Sequence, residues 1–137
     1  MQRTLALIKP DAVAAGNAGA IVAKIQESGL AVLALKTLHL TRAQAEGFYH
    51  VHSKRPFFGD LVRFMTEGKI VAMVLEGENA IGRWRDLMGP TDATKAPKDT
   101  IRGAFGTSIE RNATHGSDAE DTARFEVGWF FAGLELA

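Results

Sequence analysis

The stretch Lys69 to Leu75 reads Lys-Ile-Val-Ala-Met-Val-Leu, and it limits the fold more tightly than any other segment. An apolar run this short, rich in β-branched residues, predicts a strand rather than a helix, and its lack of polar alternation makes that strand central. A central strand needs partners, and Thr4 to Ile8 supplies one: a second apolar run, stopped by Lys9, Pro10 and Asp11 because Pro10 cannot continue a sheet ladder. Leu30 to Leu40, rich in Leu and Val, predicts a further strand.

Helical signals separate these strands. Ile21, Val22, Ile25 and Gln26 follow helical spacing after the Gly16–Gly19 stretch, and Gly29 supplies a C-terminal stop. Thr41 reads as the N-cap of a helix through Tyr49, which Arg55 to Gly59 breaks. A helix over Asp60 to Met65 should bury Leu61, Val62 and Met65, and Asn79 should cap another that ends near Met88. Thr91 to Thr114 has weak periodicity, and a loop of that length in a compact domain is either functional or a sign that the element assignment is wrong. Ser117 and Glu120 have capping-box spacing and predict a short helix. Phe125 to Phe131 then alternates, with Phe125, Val127, Trp129 and Phe131 on one face, and predicts the last strand. The order is that of an α+β, ferredoxin-like split βαβ fold: a four-stranded antiparallel sheet with added helices. Neither repeat nor linker interrupts residues 1–137, so a single domain is expected.

Composition narrows the function classes. Sixteen basic and sixteen acidic side chains cancel, so the chain has no global field to hold DNA or an anionic membrane. Any anion must be held by locally placed cations. The absence of cysteine excludes disulfides and thiolate metal sites, and suits a reducing cytosol. The N-terminus is charged too early for a signal peptide, and no apolar run reaches the roughly 20 residues that span a bilayer. The expectation is a cytoplasmic protein.

The conspicuous chemical constellation is Asn112-Ala-Thr-His115-Gly-Ser117-Asp118. An imidazole, with an ordinary pKa of about 6.5, is largely neutral near pH 7 and keeps one nitrogen lone pair free. Such a nitrogen can attack phosphorus and split a transfer into two displacements. His115 precedes an expected helix start, where free N–H groups favour a phosphoryl group, and Gly116 leaves room for it to approach the backbone. Glu126, returning along the expected last strand, would take the proton of the other ring nitrogen, with Ser117 orienting the carboxylate. Lys9, Arg85, Thr91 and Arg102 are residue types that clamp phosphate oxygens. Neither a P-loop nor a G-x-G-x-x-G is present, so no standard phosphate cradle is used. His50 and His52, two apart, read as a surface or packing pair before a metal chelate, and Phe57 or Phe58 as core or as a platform for a base.

The residues resemble a known family, the nucleoside diphosphate kinases. Asn112-x-x-His115-Gly116-Ser117-Asp118 is similar to its active-site signature, and Thr4 to Asp11 to its opening strand and lysine. Tyr49-x5-Arg55-Pro56-Phe57-Phe58-x-x-Leu61-Val62 resembles its nucleotide-clamping hairpin. Arg85-x-x-Met88-Gly89-x-Thr91 and Thr100 to Gly103 resemble its phosphate-binding segments, so the likeness is collinear from Thr4 to Phe131.

The resemblance implies a ping-pong transfer of a γ-phosphoryl group from NTP to NDP through phosphorylated His115. It implies Glu126 and Ser117 as orienting partners, Tyr49 close to His115, and Arg85, Thr91 and Arg102 on the phosphates. Lys9 and Asn112 would meet the ribose hydroxyls, Phe57 would stack on the base, and Leu61 and Ile109 would line the same cleft. Mg2+ would arrive on the nucleotide phosphates with no metal ligand from the protein itself. Partners implied are nucleoside di- and triphosphates of any base or sugar and a homo-oligomer built from a dimer, up to a tetramer or hexamer, with no membrane and no obligate nucleic acid. Ala104 stands where the family often has Asp, and the chain ends at Ala137 without a long extension, which bears on subunit contacts. A non-catalytic ferredoxin-like RNA-binding module would instead show aromatics on its central strands and net positive charge. The strand Lys69 to Leu75 has no aromatic and the net charge is zero.

Overall fold

The computed structural model describes residues 1–137. Four strands, β1 (Gln2–Ile8), β2 (Ala31–Leu38), β3 (Ile70–Gly77) and β4 (Thr114–Gly116), form one sheet in the order β2-β3-β1-β4. Every neighbouring pair is antiparallel, the topology of a ferredoxin-like α+β fold. Seven helices surround it: α1 (Pro10–Ala14), α2 (Ala18–Glu27), α3 (Arg42–Phe48), α4 (Phe58–Met65), α5 (Ala80–Met88), α6 (Ile101–Phe105) and α7 (Glu120–Phe130).

The apolar run in β3 has a direct cause: both sheet faces are covered. Leu5, Leu7, Ile70, Ala72 and Val74 point into a core closed by α3, α4 and α7. Their neighbours Ala6, Ile8, Val71, Met73 and Leu75 point into a second core closed by α2 and α5 around Ile21, Ile25, Trp84 and Met88. Successive side chains alternate between faces, so Thr4–Ile8 and Ile70–Leu75 are buried on both sides of the sheet.

Local signals explain most helix boundaries. Pro10 occupies the first position of α1, where its missing N–H costs nothing. Thr41 and Gln44 form a reciprocal capping box on α3. Gly29, at φ +89°, turns the chain out of α2 into β2.

Three expectations are corrected. Residues 125–131 are not a strand; they belong almost entirely to α7. The alternation Phe125-Val127-Trp129-Phe131 coexists with the helical spacing Ala123-Val127-Phe130, and those three are the residues α7 buries. Phe125 and Trp129, one turn apart on the opposite face, are each 41% exposed. The fourth strand is instead the three-residue β4, too short for any periodicity. Ser117 does not cap the helix: Ala119 is the N-cap, and its N–H donates to Oγ1 of Thr122. Asn79 stands at the N-cap of α5 but makes no capping bond from its side chain, and its backbone is left-handed at φ +49°.

Candidate active site

The edge strand β4 carries His115 directly opposite Leu7 of β1. Opposed residues share a face, so the imidazole projects toward the core beneath α7. There Nε2 of His115 lies 2.9 Å from Oε1 of Glu126, and Oγ of Ser117 donates to the same oxygen at 2.8 Å. Ser117 is itself held by β1, because its hydroxyl accepts from the Leu5 N–H at 3.3 Å. Ser117 is fully buried and the His115 side chain is 21% exposed, so the relay is sheltered while the imidazole still reaches solvent. Glu126 thus reaches His115 from a helix rather than along a strand.

Packing fixes the imidazole further. The rings of Phe48 and Tyr49 meet it edge-on, with centroids 5.6 and 6.4 Å away. The Tyr49 hydroxyl is buried and unpartnered, and its pKa is raised, by burial first and by the negative Glu126 second. On the backbone side, Nε1 of Trp84 donates to the His115 carbonyl at 3.1 Å. A Cβ on Gly116 would stand 2.6 Å from both Trp84 and Met88. The missing side chain of Gly116 therefore allows close packing on α5. Ala113, just ahead of β4, adopts φ +74° with its N–H bound to Oδ2 of Asp11.

A cleft of about 510 Å³ opens over this histidine. Its walls include Lys9, Tyr49, Phe57, Leu61, Arg85, Thr91, Arg102, Ile109, Asn112 and His115, gathered from widely separated parts of the chain. Of the residues singled out from sequence, only Ser117 and Glu126 lie behind the wall, against the imidazole. Nζ of Lys9 donates to Oδ1 of Asn112 at 2.8 Å, and Nδ2 of Asn112 donates to the Thr91 carbonyl at 2.9 Å. Arg85 pairs with Asp118 at 2.8 Å. Arg102 is buried and donates to the carbonyls of Gly89 and Thr114, each at 3.0 Å, while its Nε has no partner. Phe57 is 49% exposed, an apolar ring presented to the cleft.

Electrostatics follow from this crowding of cations. Burial, and then repulsion from Arg102, lowers the Lys9 pKa to about 8. Burial and the neighbouring Arg85 lower Arg102 to about 10, which leaves it charged at neutral pH. A cleft that holds cations at such cost favours an anionic occupant. The lining residues outside the predicted catalytic and binding set are His52, Glu110, Thr114, Gly116 and Asp118. Asp118 was legible as the neighbour of Ser117, and His52 as a member of the Tyr49–Phe57 turn. A larger depression of about 690 Å³ lies elsewhere, around Arg3, Glu76 and Glu120. Arg3 already pairs with Glu76 there, and Glu120 with Gln2.

A ferredoxin-like sheet whose edge histidine is backed by a carboxylate and faced by Lys9, Arg85 and Arg102 is the arrangement of a phosphotransferase. The profile described as nucleoside diphosphate kinase matches residues 2–136. The chain is 59% identical to a nucleoside diphosphate kinase of Syntrophotalea carbinolica over 136 residues, covering 99% of each. It is 56% identical to that of Oleidesulfovibrio alaskensis, covering 98% of this chain and 97% of the relative. Among solved structures, the Aquifex aeolicus nucleoside diphosphate kinase superposes with a TM-score of 0.97 at 44% identity, covering 99% of both chains. The Halobacterium salinarum enzyme, solved with CDP, gives 0.95 at 40% identity, covering 99% of this chain and 91% of that one. The chain belongs to the nucleoside diphosphate kinase family, nucleotide-binding transferases that move a phosphoryl group between nucleotides.

The family generally uses a divalent metal. No group of three His, Asp or Glu side chains is arranged to hold one, and the cleft is dominated by cations. No helix is long and apolar enough to cross a membrane.

Proposed function

We propose that His115 is the phosphorylated nucleophile of a ping-pong nucleoside diphosphate kinase acting as a single domain over residues 1–137. The observation that carries this is the 2.9 Å contact between His115 Nε2 and Glu126 Oε1. A carboxylate only accepts, so Nε2 bears the proton and Nδ1 keeps its lone pair for attack. In the first half-reaction Nδ1 bonds to the γ-phosphorus, the bond from phosphorus to the β–γ bridging oxygen breaks, and NDP leaves. In the second, a terminal phosphate oxygen of another NDP attacks the phosphohistidine, the P–N bond breaks, and Nδ1 regains its lone pair.

Residues of the cleft provide binding and positioning. Arg85, Arg102 and Thr91 hold phosphate oxygens, and Lys9 and Asn112, already bonded to each other, meet the ribose hydroxyls. Phe57 stacks on the base, with Leu61 and Ile109 beside it and Tyr49 against His115. The substrate phosphates themselves would hold Mg2+, which would offset their charge beside Arg85 and Arg102. Catalysis comes from alignment and charge stabilisation. Stacking suits any base, so broad base and sugar tolerance is expected, with ATP as one donor. The CDP complex of the Halobacterium salinarum relative supports a nucleoside diphosphate in this cleft. We place the activity in the cytoplasm, which the cysteine-free composition suits, and in a homo-oligomer built from dimers.

Intact mass after brief incubation with Mg-ATP tests the reading, beside His115→Ala. One acid-labile phosphoryl group on the wild type, absent from the variant and discharged by GDP with GTP appearing, is the expected result. A wild-type protein that binds ATP and stays unmodified would overturn it.

A further inference from the structure

Between Asn112 and the strand that carries His115, the chain reverses through a single residue, Ala113. Its φ is +74°, and the Thr114 N–H donates to the Asn112 carbonyl at 2.9 Å. A bond spanning two residues around a positive φ is the rare, strained form of the γ-turn. Alanine carries a Cβ penalty there that glycine would not, and such a conformation persists only where its surroundings hold it. The segment Lys9-Pro10-Asp11 does the holding. The Lys9 N–H donates to the Ala113 carbonyl at 2.8 Å, and Oδ2 of Asp11 accepts from the Ala113 N–H at 3.1 Å. Ala113 is fully buried, so bulk water does not stand in for that carboxylate. Asp11 itself is half-buried at the start of α1, outside the walls of the cleft. Its Oδ1 is buried without a partner, an arrangement that costs stability and leaves the bond to Ala113 as its one hydrogen bond from a distant residue. Its negative charge also acts on Lys9.

We propose that Asp11 is a positioning residue for phosphoryl transfer, holding the strained Ala113 turn that sets Asn112 and His115 in register. This role rests on the phosphohistidine reading above. On one side of the turn, Asn112 is tied to Lys9 and to the Thr91 carbonyl; on the other, His115 is paired with Leu7. Relaxation of Ala113 to a negative φ would swing these two arms relative to each other. The imidazole would then lose its alignment with a nucleotide held by Lys9 and Asn112, and a misplacement of about 1 Å costs roughly 100-fold in rate. A carboxylate suits the task because a charged acceptor binds an N–H more strongly than a neutral one.

The test is a double-mutant cycle on the single-turnover rate of phosphohistidine formation at saturating Mg-ATP, with urea unfolding measured beside it. Asp11→Ala should slow this step about 10- to 100-fold. Asp11→Asn keeps an acceptor oxygen and should stay within about threefold of the wild type. Ala113→Gly removes the penalty on positive φ, so it should change the rate little alone and recover most of it in the Asp11→Ala background. Equal losses from Asp11→Ala with and without the glycine overturn the proposal. So does an Asp11→Asn as slow as Asp11→Ala, which assigns the effect to the charge acting on Lys9. An Asp11→Ala that unfolds at lower urea yet is phosphorylated at the wild-type rate also overturns it, leaving the carboxylate a role in stability alone. Wild-type protein that forms no phosphohistidine would fail the underlying reading instead.

Discussion

Nε2 of His115 and Oε1 of Glu126 stand 2.9 Å apart, one on an edge strand and the other on the helix that covers it. The pair joins two elements into one reactive unit, with Ser117 fixing the shared oxygen. Glu126→Ala should slow phosphohistidine formation about 100-fold, because the ring loses both its tautomer and its orientation. Rapid-quench measurement with Mg-ATP gives the rate, and an unchanged value would remove Glu126 from the mechanism.

The buried Lys9 predicts a pH dependence with a definite sign. Its pKa is about 8 in the fold against the ordinary 10.5, so the folded state carries this charge at a cost below pH 8. Between pH 8 and 10.5 the unfolded chain binds more protons, and stability rises with pH through that window. Denaturant melts should show wild type gaining on Lys9→Met from pH 8 to 10. Nucleotide affinity moves the opposite way, falling by up to about tenfold per pH unit above pH 8 as the cation is lost. A flat affinity profile across that range would show that the Lys9 charge does not hold the nucleotide.

Gly116 predicts a packing defect. An added methyl meets Trp84 and Met88 at 2.6 Å, and both are fully buried. Gly116→Ala should cost about 1–3 kcal/mol in urea unfolding. It should also lower turnover, since β4 carries His115 with it. Wild-type stability would mean that α5 yields without strain.

Phe57 separates binding from folding. Its ring is half exposed, so Phe57→Ala should leave the unfolding midpoint nearly unchanged. Loss of stacking, worth roughly 1–3 kcal/mol, should raise the Kd for ADP by about 5- to 100-fold. Calorimetric titration that finds wild-type affinity would move the base elsewhere in the cleft.

The sheet and the reactive cluster differ in how far they could be read without coordinates. Strands β1 and β3 were legible because a strand buried on both faces has to be apolar at consecutive positions, and Thr41 announced its helix through hydrogen-bonding chemistry confined to a few residues. His115, Ser117 and Glu126 were legible as a candidate cluster because an imidazole, a hydroxyl and a carboxylate are the residue types that such chemistry needs. The element bearing Glu126 was misread. Val127 satisfies both a period of two and a helical repeat, and only the packing of Ala123, Val127 and Phe130 against the sheet decides between them.

Other features existed only in three dimensions. A three-residue strand has no period of its own; β4 is a strand because Leu7 pairs with His115. Arg102 carried no sequence mark of its burial, which its bonds to the Gly89 and Thr114 carbonyls create. His52 resembled any surface histidine until the turn after Tyr49 set it beside Phe57. The sequence by itself determined the central strands, several helix starts and the residue types of the candidate cluster, because those depend on burial and chemistry at neighbouring positions. Tertiary structure alone decided which cations converge, what α7 is, and which histidine faces the cleft, because each depends on contacts between residues far apart in the chain.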